Sequence, residues 1–240
     1  MYALNYENGA KYTFADLSKG GCMFQKGEES LWSRLLFAPT IRRKNDAHKL
    51  AYIAVLTAFI VASNVAEIKF LDNQFSFTIF VAMFSGGVLG AISGFLACLI
   101  GDFVGYLIHP AYIYMPWVGL STGMFALITG LVLETRSGVM SDWKLVLKLL
   151  ISSILTFLIC TIAINSTGFY YYNKAMGFSD GVVTFIADKF GGEHVTFWAY
   201  CIYRLFFKGQ IFNSLTNYVL ILYLVPVLNK IKSLRLRIGK

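Results

Sequence analysis

The sequence predicts an all-α integral membrane protein, with six transmembrane helices in a compact bundle and both chain termini in the cytoplasm. The 240 residues are 57% hydrophobic and only 14% charged, and the mean hydropathy is +0.61, outside the usual balance of a soluble globular domain. A membrane-spanning helix needs about 20 mostly apolar residues. Six apolar windows fit this requirement, and they cover residues 50–67, 75–87, 88–108, 115–134, 145–166 and 197–227.

The second apolar window is the shortest of the six. Only Ser85-Gly86-Gly87 separates it from the third window, and glycine pairs of this kind often form turns. We therefore expect a tight turn at these residues, joining two short spans or two halves of one broken segment.

The positive charges predict the orientation of the chain. Eight Lys and Arg residues precede the first window, three follow the fourth, and five lie at the C-terminal end. Only Lys69, Lys174 and Lys189 fall in the opposite loops. Sixteen Lys and Arg residues therefore lie on the side of the termini and only three on the opposite side, which predicts that both termini are cytoplasmic. This arrangement requires an even number of spans. Because the net charge of +8 follows this pattern, we expect no nucleic-acid partner.

Three regions follow along the chain. Residues 1–47 form a cytoplasmic tail with an interfacial stretch, SLWSRLLFAPTIRRK, and no cleavable signal peptide is evident. Residues 48–229 form the membrane domain, and residues 230–240 form a basic cytoplasmic C-terminus. The loop 173–193, rich in glycine, is long enough to be a lid over the outer side.

The cysteines do not predict a metal site or a disulfide framework. Cys22, Cys98, Cys160 and Cys201 are scattered, and no Cys-x-x-Cys pair occurs. No motif for a cofactor is present either, so we expect neither a metal nor a cofactor.

An acid lies in the third window, within the stretch IGDFVGYLIHPAYIYMPWVG. Asp102 is about six residues from the outer end, roughly 9 Å of helix. An ionisable group at this depth is costly and normally faces a cavity or a partner. Asp102 either pairs with a hydroxyl group or with a basic residue, Arg204 or Lys208 of the sixth window, to fix the helix packing, or it binds a ligand.

Aromatic side chains follow in the outer loop between the third and fourth windows. Tyr112, Tyr114 and Trp117 lie where an aromatic belt occurs in most membrane proteins. Pro110 and Pro116 stiffen the loop, so the same rings can form a fixed platform on which a flat heterocycle stacks. The sequence leaves both interpretations open.

Polar groups reach the same side from the fifth and sixth windows. Asn165 and Tyr171 lie at the end of the fifth window, and Arg204 and Lys208 share one face in the outer part of the sixth. The two cations either snorkel to the headgroups or form a locus for a carboxylate or phosphate.

The sixth window has a second polar set. On an ideal helix this set lies nearly opposite Arg204 and Lys208, so either Gly209 loosens the helix or the set joins helices together. Its members are Gln210, Asn213, Ser214 and Asn217.

Small residues recur every four positions in the first window. Ala54, Ala58 and Ala62 lie along one face, where another helix can approach closely. The face either packs inside the bundle or docks on another protein.

Taken in order, these features resemble the substrate-binding S component of energy-coupling factor (ECF) vitamin transporters. The likeness covers about residues 48–229 except the long loop before the sixth window, and it rests on the alanine face, the glycine-rich stretch 84–134, and Tyr203, Arg204 and Lys208. Folate-type members are the most similar, since they carry a Gly-Asp-x-x-Gly, a Pro, an aromatic residue and another Pro in this order.

The resemblance implies a function. Such proteins sit in the plasma membrane of bacteria, bind a vitamin from outside, and release it inside after docking on a membrane scaffold subunit energised by two ATPase subunits. The chain is then no enzyme, and it contains no phosphate-binding loop of its own. The alanine face would meet the scaffold. The expected ligand-binding residues are Asp102, Tyr106, Tyr112, Tyr114, Trp117, Asn165, Tyr171, Arg204 and Lys208.

Folate is the expected substrate, because the rings suit its pterin and the cations suit its carboxylates. Riboflavin, cobalamin, a queuosine precursor and pantothenate are alternatives. Two other classes stay open: an ion-coupled secondary transporter, and a membrane-embedded enzyme using Asp102, His109, His194 and Glu67.

Overall fold

The computed structural model describes residues 35–42, 44–66, 68–70, 73–110, 113–134, 142–192, 194–228 and 230. Most of the tail 1–47 and of the C-terminus 230–240 therefore lies outside the described residues, as do Glu67 and Tyr112.

The described chain is helical apart from one short hairpin. In order, its elements are α1 (Pro39–Arg42), α2 (Asp46–Val65), β1 (Ile68–Phe70), β2 (Asn73–Phe75), α3 (Thr78–Leu89), α4 (Ala91–Ile108), α5 (Pro116–Leu133), α6 (Asp142–Thr156), a π-helical segment (Phe157–Ser166), α7 (Thr167–Met176), α8 (Asp180–Phe190), α9 (Phe197–Ile202), a second π-helical segment (Tyr203–Phe207) and α10 (Gln210–Leu228).

Five helices of the described chain are long and apolar enough to cross a membrane. They are α2, α4, α5, the continuous helix Asp142–Met176, and α10. The prediction of a helical membrane protein is thereby confirmed. The sixth apolar helix, α3, has 12 residues and measures about 18 Å, which is less than the roughly 30 Å of a hydrocarbon core.

The turn between α3 and α4 lies three residues later than the sequence predicts. Helix α3 continues through Ser85-Gly86-Gly87 and ends at Leu89, and the next residue, Gly90, has a φ of 105°, which favours glycine. Gly86 instead allows close packing, since a Cβ there would lie 2.0 Å from the carbonyl oxygen of Ala126. The sequence-based expectation of a turn at residues 85–87 is therefore wrong.

The described end of the N-terminal region packs against this turn. The backbone N–H of Ala38 donates to the carbonyl of Leu89 at 2.8 Å, and Ile41 is fully buried. Residues 35–42 thus belong to the bundle surface and not to a free tail.

The hairpin between α2 and α3 was not predicted. Its strands are antiparallel, with Ile68 opposite Phe75 and Phe70 opposite Asn73. Two buried asparagines of α10 bind the backbone that follows the hairpin. Asn213 Oδ1 accepts from the N–H of Ser76 at 3.2 Å, and Asn217 Oδ1 accepts from the N–H of Phe80 at 2.9 Å.

The alanine face of α2 is exposed on the outside of the bundle. Ala54, Ala58 and Ala62 are all exposed, whereas Ile60 on another side of the same helix is fully buried. Packing of these alanines within the bundle, one of the two interpretations of the sequence, is therefore excluded.

A candidate ligand-binding cavity

A cavity of about 710 Å³ opens among the ends of the helices. This volume lies within the usual range of small-molecule sites. Every helix from α2 to α10 except α6 contributes to the wall or to its immediate backing, so the cavity lies at one end of the bundle. Its polar lining residues are Asn64, Ser76, Thr78, Asp102, His109, Ser121, Thr122, Asn165, Asn173, Ser179, Arg204, Lys208, Gln210 and Asn213.

Asp102 forms a buried acidic wall of the cavity. The side chain is 7% exposed, and its Oδ1 accepts a hydrogen bond from Asn64 Nδ2 at 3.2 Å. The Thr122 hydroxyl lies 3.3 Å from the same oxygen. The amide of Asn64 is oriented in turn by Thr78, whose hydroxyl donates to Asn64 Oδ1 at 2.8 Å. Helices α2, α3, α4 and α5 thus meet at one carboxyl group.

Pairing of Asp102 with the cations of the last span, considered above, does not occur. Arg204 and Lys208 line the same cavity, but neither lies within ion-pair distance of Asp102 in the described chain. The carboxyl group is held by neutral donors instead.

Tyr114 lies beside Asp102, across from Gly119. A Cβ at position 119 would come within 2.5 Å of the Tyr114 hydroxyl and 2.9 Å of Asp102 Oδ2, so both atoms point into the space that glycine leaves. Burial, and secondly the charge of Asp102, raise the pKa of Tyr114. The phenol therefore remains protonated at neutral pH and can donate a hydrogen bond.

Aromatic rings form two further parts of the wall. The ring of Tyr114 packs on Tyr106, with 5.0 Å between ring centroids. On the other side Phe169 and Tyr172 line the cavity, and Trp117 packs behind both at 5.9 Å. The lining therefore offers flat apolar surfaces next to polar groups.

Arg204 provides a cationic group that the protein leaves partly unpaired. Its guanidinium carbon lies 4.0 Å from the ring centroid of Phe169, a cation–π contact. The Nη1 atom is buried and has no hydrogen-bond partner in the described chain. Asn165 behaves similarly, since its Nδ2 donates to Ser121 Oγ at 2.8 Å while its buried Oδ1 stays unpartnered.

A break in the last apolar window brings the cations and part of the second polar set to one cavity. Gly209 adopts a φ of 63°, which interrupts the helix between Tyr203–Phe207 and α10. As a result Arg204 and Lys208 before the break and Gln210 and Asn213 after it all line the cavity. The opposed faces of an ideal helix, a difficulty in the sequence, do not apply to the folded chain.

The loop 173–193 folds into helix α8, which we call the lid helix. Val182 and Ile186 are buried against a cluster that includes Tyr170 and Tyr200. Ser179 and Val182 also line the cavity. Asn173 Nδ2 donates to the Tyr200 hydroxyl at 3.0 Å and so ties α7 to α9.

The structure brings together six of the nine expected ligand-binding residues. The six that line the cavity are Asp102, Tyr106, Tyr114, Asn165, Arg204 and Lys208. Trp117 lies behind the wall, and Tyr112 lies outside the described residues. Tyr171 is 63% exposed and does not line the cavity, whereas its neighbour Tyr172 does.

Several lining residues were not expected from the sequence. Asn64 is one, although a polar side chain in an apolar window was a signal that could have found it. Thr122, Ser121 and Tyr200 gave no such signal, because hydroxyl groups are common inside membrane helices.

The histidines expected for an enzyme do not converge. His109 lines the cavity, but His194 is exposed and is not part of the lining. Among the described residues no group of three His, Cys, Asp or Glu side chains could hold a metal ion.

Comparison with known proteins gives a match to a protein family and similarity to solved structures. No curated protein sequence matches the chain significantly. The crystal structure of FolT bound with folic acid is similar over 74% of this chain and 95% of that one, with 17% sequence identity and a TM-score of 0.45. The family profile of the ECF-type riboflavin transporter, S component, matches residues 44–192. The chain belongs to this family of ECF transporter S components.

Proposed function

We propose that the chain captures folate from outside the cell and delivers it inward as the S component of an ECF-type importer. The observation that carries the choice of substrate is Arg204. Its buried Nη1 lacks a partner and its guanidinium stacks on Phe169 in the cavity wall. A cation whose Nη1 is buried and unpartnered favours an anionic acceptor, and a carboxylate fits the geometry of a guanidinium.

The two ends of folate match the two kinds of lining. Tyr106, Tyr114 and Phe169 offer surfaces on which a pterin ring can stack. Arg204 and Lys208 offer partners for the glutamate carboxylates, and Lys208 is exposed at the cavity edge. The cavity volume of about 710 Å³ suits a ligand of this size.

Riboflavin is the second candidate, because the matching family is described by that vitamin. Its isoalloxazine would use the same rings. It carries no carboxylate, however, and would leave Arg204 without an anionic partner.

A binding titration separates the two candidates. The full chain, purified in detergent, is titrated with folic acid, riboflavin, cobalamin, pantothenate and a queuosine precursor while tryptophan fluorescence is recorded. Trp117 packs on two lining rings, so its emission should respond to an occupied cavity. We expect the tightest response with folic acid. The absence of any response to folates would end the folate assignment.

We further propose that the chain docks through Ala54, Ala58 and Ala62 on a membrane scaffold subunit, and that two ATPase subunits supply the energy. The three alanines lie on the outer surface of α2, where they present a smooth face to another helix. The chain itself contains no phosphate-binding loop, so ATP hydrolysis belongs to the partners.

The bundle would cross the plasma membrane six times, with α3 and its preceding hairpin forming the second segment and both termini in the cytoplasm. The uneven distribution of Lys and Arg supports this orientation. Single cysteines can test it in a chain without native cysteines. A membrane-impermeant maleimide should label Lys174→Cys in intact cells and Lys144→Cys only after permeabilisation. The reverse pattern would invert the topology.

A further inference from the structure

The carboxyl group of Asp102 has one oxygen held by the protein and one that is not. Oδ1 accepts from Asn64 Nδ2 at 3.2 Å, while the Thr122 hydroxyl lies 3.3 Å away. Oδ2 has no hydrogen-bond partner among the described residues. The side chain is 93% buried, being 7% exposed. A buried carboxylate is stable only when its oxygens receive hydrogen bonds, so Oδ2 is suited to a donor from a ligand.

The second oxygen lies close to the Tyr114 hydroxyl because position 119 carries no side chain. A Cβ at Gly119 would lie 2.9 Å from Oδ2 and 2.5 Å from the Tyr114 hydroxyl, so these two atoms occupy the space that a side chain at this position would need. Asp102 and Tyr114 both line the cavity. A flat ligand edge that approaches them from the cavity would meet an acceptor and a hydroxyl side by side.

Oδ1 also keeps room for a ligand donor. The Thr122 hydroxyl has one proton, and the carbonyl of Val118 at 3.0 Å is a nearer acceptor than Asp102 at 3.3 Å. When Thr122 donates to Val118, Oδ1 accepts only from Asn64. Each carboxylate oxygen has two lone pairs, so the group can then receive two parallel N–H donors.

We propose that Asp102 selects ligands that carry a 2-aminopyrimidin-4-one edge, in which a ring N–H and an exocyclic amine lie side by side. Pterins and 7-deazaguanines both have this edge. The isoalloxazine of a flavin instead presents an N–H between two carbonyl groups, whose lone pairs repel a carboxylate. The proposal rests on the proposed function of the cavity as a vitamin site, and it makes Asp102 the residue that separates folate from riboflavin.

The neutral surroundings of Asp102 strengthen this assignment. Neither Arg204 nor Lys208 lies within ion-pair distance of it, so no described cation removes its capacity to accept from a ligand. The same two cations distinguish the two sources of the edge. A folate has carboxylates to offer them, whereas a 7-deazaguanine base has none.

Calorimetry on the purified full chain tests the proposal with matched ligands. Folic acid, pterin, 4-hydroxypteridine without the 2-amino group, 7-deazaguanine, riboflavin and p-aminobenzoylglutamate are titrated into the wild-type protein and Asp102→Asn. Asp188→Asn, an exposed acid of the lid helix outside the cavity lining, is the matched control. Thermal unfolding of each variant in detergent checks that it is folded.

For the wild type we expect pterin to bind at least about tenfold more tightly than 4-hydroxypteridine, as a hydrogen bond to a charged group implies. Asp102→Asn should remove this difference and weaken folic acid at least about tenfold. Its affinity for p-aminobenzoylglutamate, which lacks the edge, should not change. Asp188→Asn should bind all six ligands as the wild type does. Folic acid binding more tightly than 7-deazaguanine would identify the pterin as the source of the edge.

Four results would overturn the proposal. Equal affinity of the wild type for pterin and 4-hydroxypteridine would refute it without any variant. Unchanged folic acid affinity in Asp102→Asn would refute it while leaving folate capture intact. A wild type that prefers riboflavin, or one that binds none of the six ligands, would refute both the edge and the folate assignment; the first of these two results would keep vitamin capture.

Discussion

Arg204 has a position that mutation can test directly. Its guanidinium stacks on Phe169 while Nη1 stays buried without a partner. Such an arrangement keeps a charge in the wall at a cost that the rest of the chain must offset. A ligand carboxylate would supply the missing acceptor.

Replacement of Arg204 by alanine should weaken folate binding about 10- to 100-fold, because a hydrogen bond to a charged group contributes about 1.5–3 kcal/mol. Pterin, which carries no carboxylate, should bind the variant and the wild type alike. Lys189→Ala on the exposed side of the lid helix is the control. Calorimetry measures all affinities, and a loss of equal size for pterin would contradict the assignment of Arg204 to the glutamate.

At the level of single residues, the sequence predicted the depth of a residue in the bundle but not the direction in which its side chain points. The sequence places Asp102, Asn165 and Arg204 at matching depths, and all three line one cavity. It could not choose among consecutive tyrosines, and Tyr172 lines the cavity where Tyr171 was expected. The π-helical segment before them has wider turns than an α-helix, so it rotates every later side chain by an amount the α-helical period does not predict.

At the level of elements, the hairpin and α3 depend on α10. Asn217 is fully buried, and it accepts from the N–H of Phe80 at 2.9 Å and donates to the carbonyl of Ser76 at 2.8 Å. The first N–H groups of a helix have no partner within that helix. Asn217 therefore satisfies the start of α3 from 137 residues away.

Asn217→Leu should lower the melting temperature in detergent, since a similar volume is kept but two partly buried backbone groups lose their partners. Each unsatisfied group costs about 1–3 kcal/mol. Asn45→Leu is the control, because the side chain of Asn45 is exposed and makes no capping hydrogen bond. An unchanged melting temperature for Asn217→Leu would show that water replaces the asparagine.

The position of an element was predictable where composition alone determines it, but not where packing against other helices determines it. The apolar windows located the long helices, because a stretch of about 20 apolar residues is typical of a membrane-spanning helix. The glycines at positions 86, 87 and 90 led to a wrong position for the turn, because Gly86 lies within α3 and allows close helix packing, whereas Gly90 forms the turn. Sequence alone cannot distinguish these two uses of glycine without knowing what lies opposite.

For the whole molecule, the exposed alanine face predicts a separation of binding from transport. Ala58→Trp should abolish uptake and co-purification with the scaffold but leave ligand affinity unchanged, because Ala58 lies outside the cavity lining. Ile154→Trp, at a residue 54% exposed on α6, is the control and should transport normally.

Uptake in cells that lack the shared ATPase subunits completes this test. Transport by the Ala58→Trp protein at the wild-type rate would refute the docking face. Uptake by the wild type without the ATPases would favour an ion-coupled secondary transporter instead.

The shortness of α3 affects how far a bound ligand still has to travel. The helix covers about 18 Å of a hydrocarbon layer of roughly 30 Å, and Ser76, Thr78 and Ile79 at its beginning line the cavity. The remaining depth is about two-fifths of the layer, and the cavity begins at this end of the helix. Under the proposed function, a ligand in the cavity would already have passed part of the low-dielectric barrier, and only the thinner remainder would be left for the energised step.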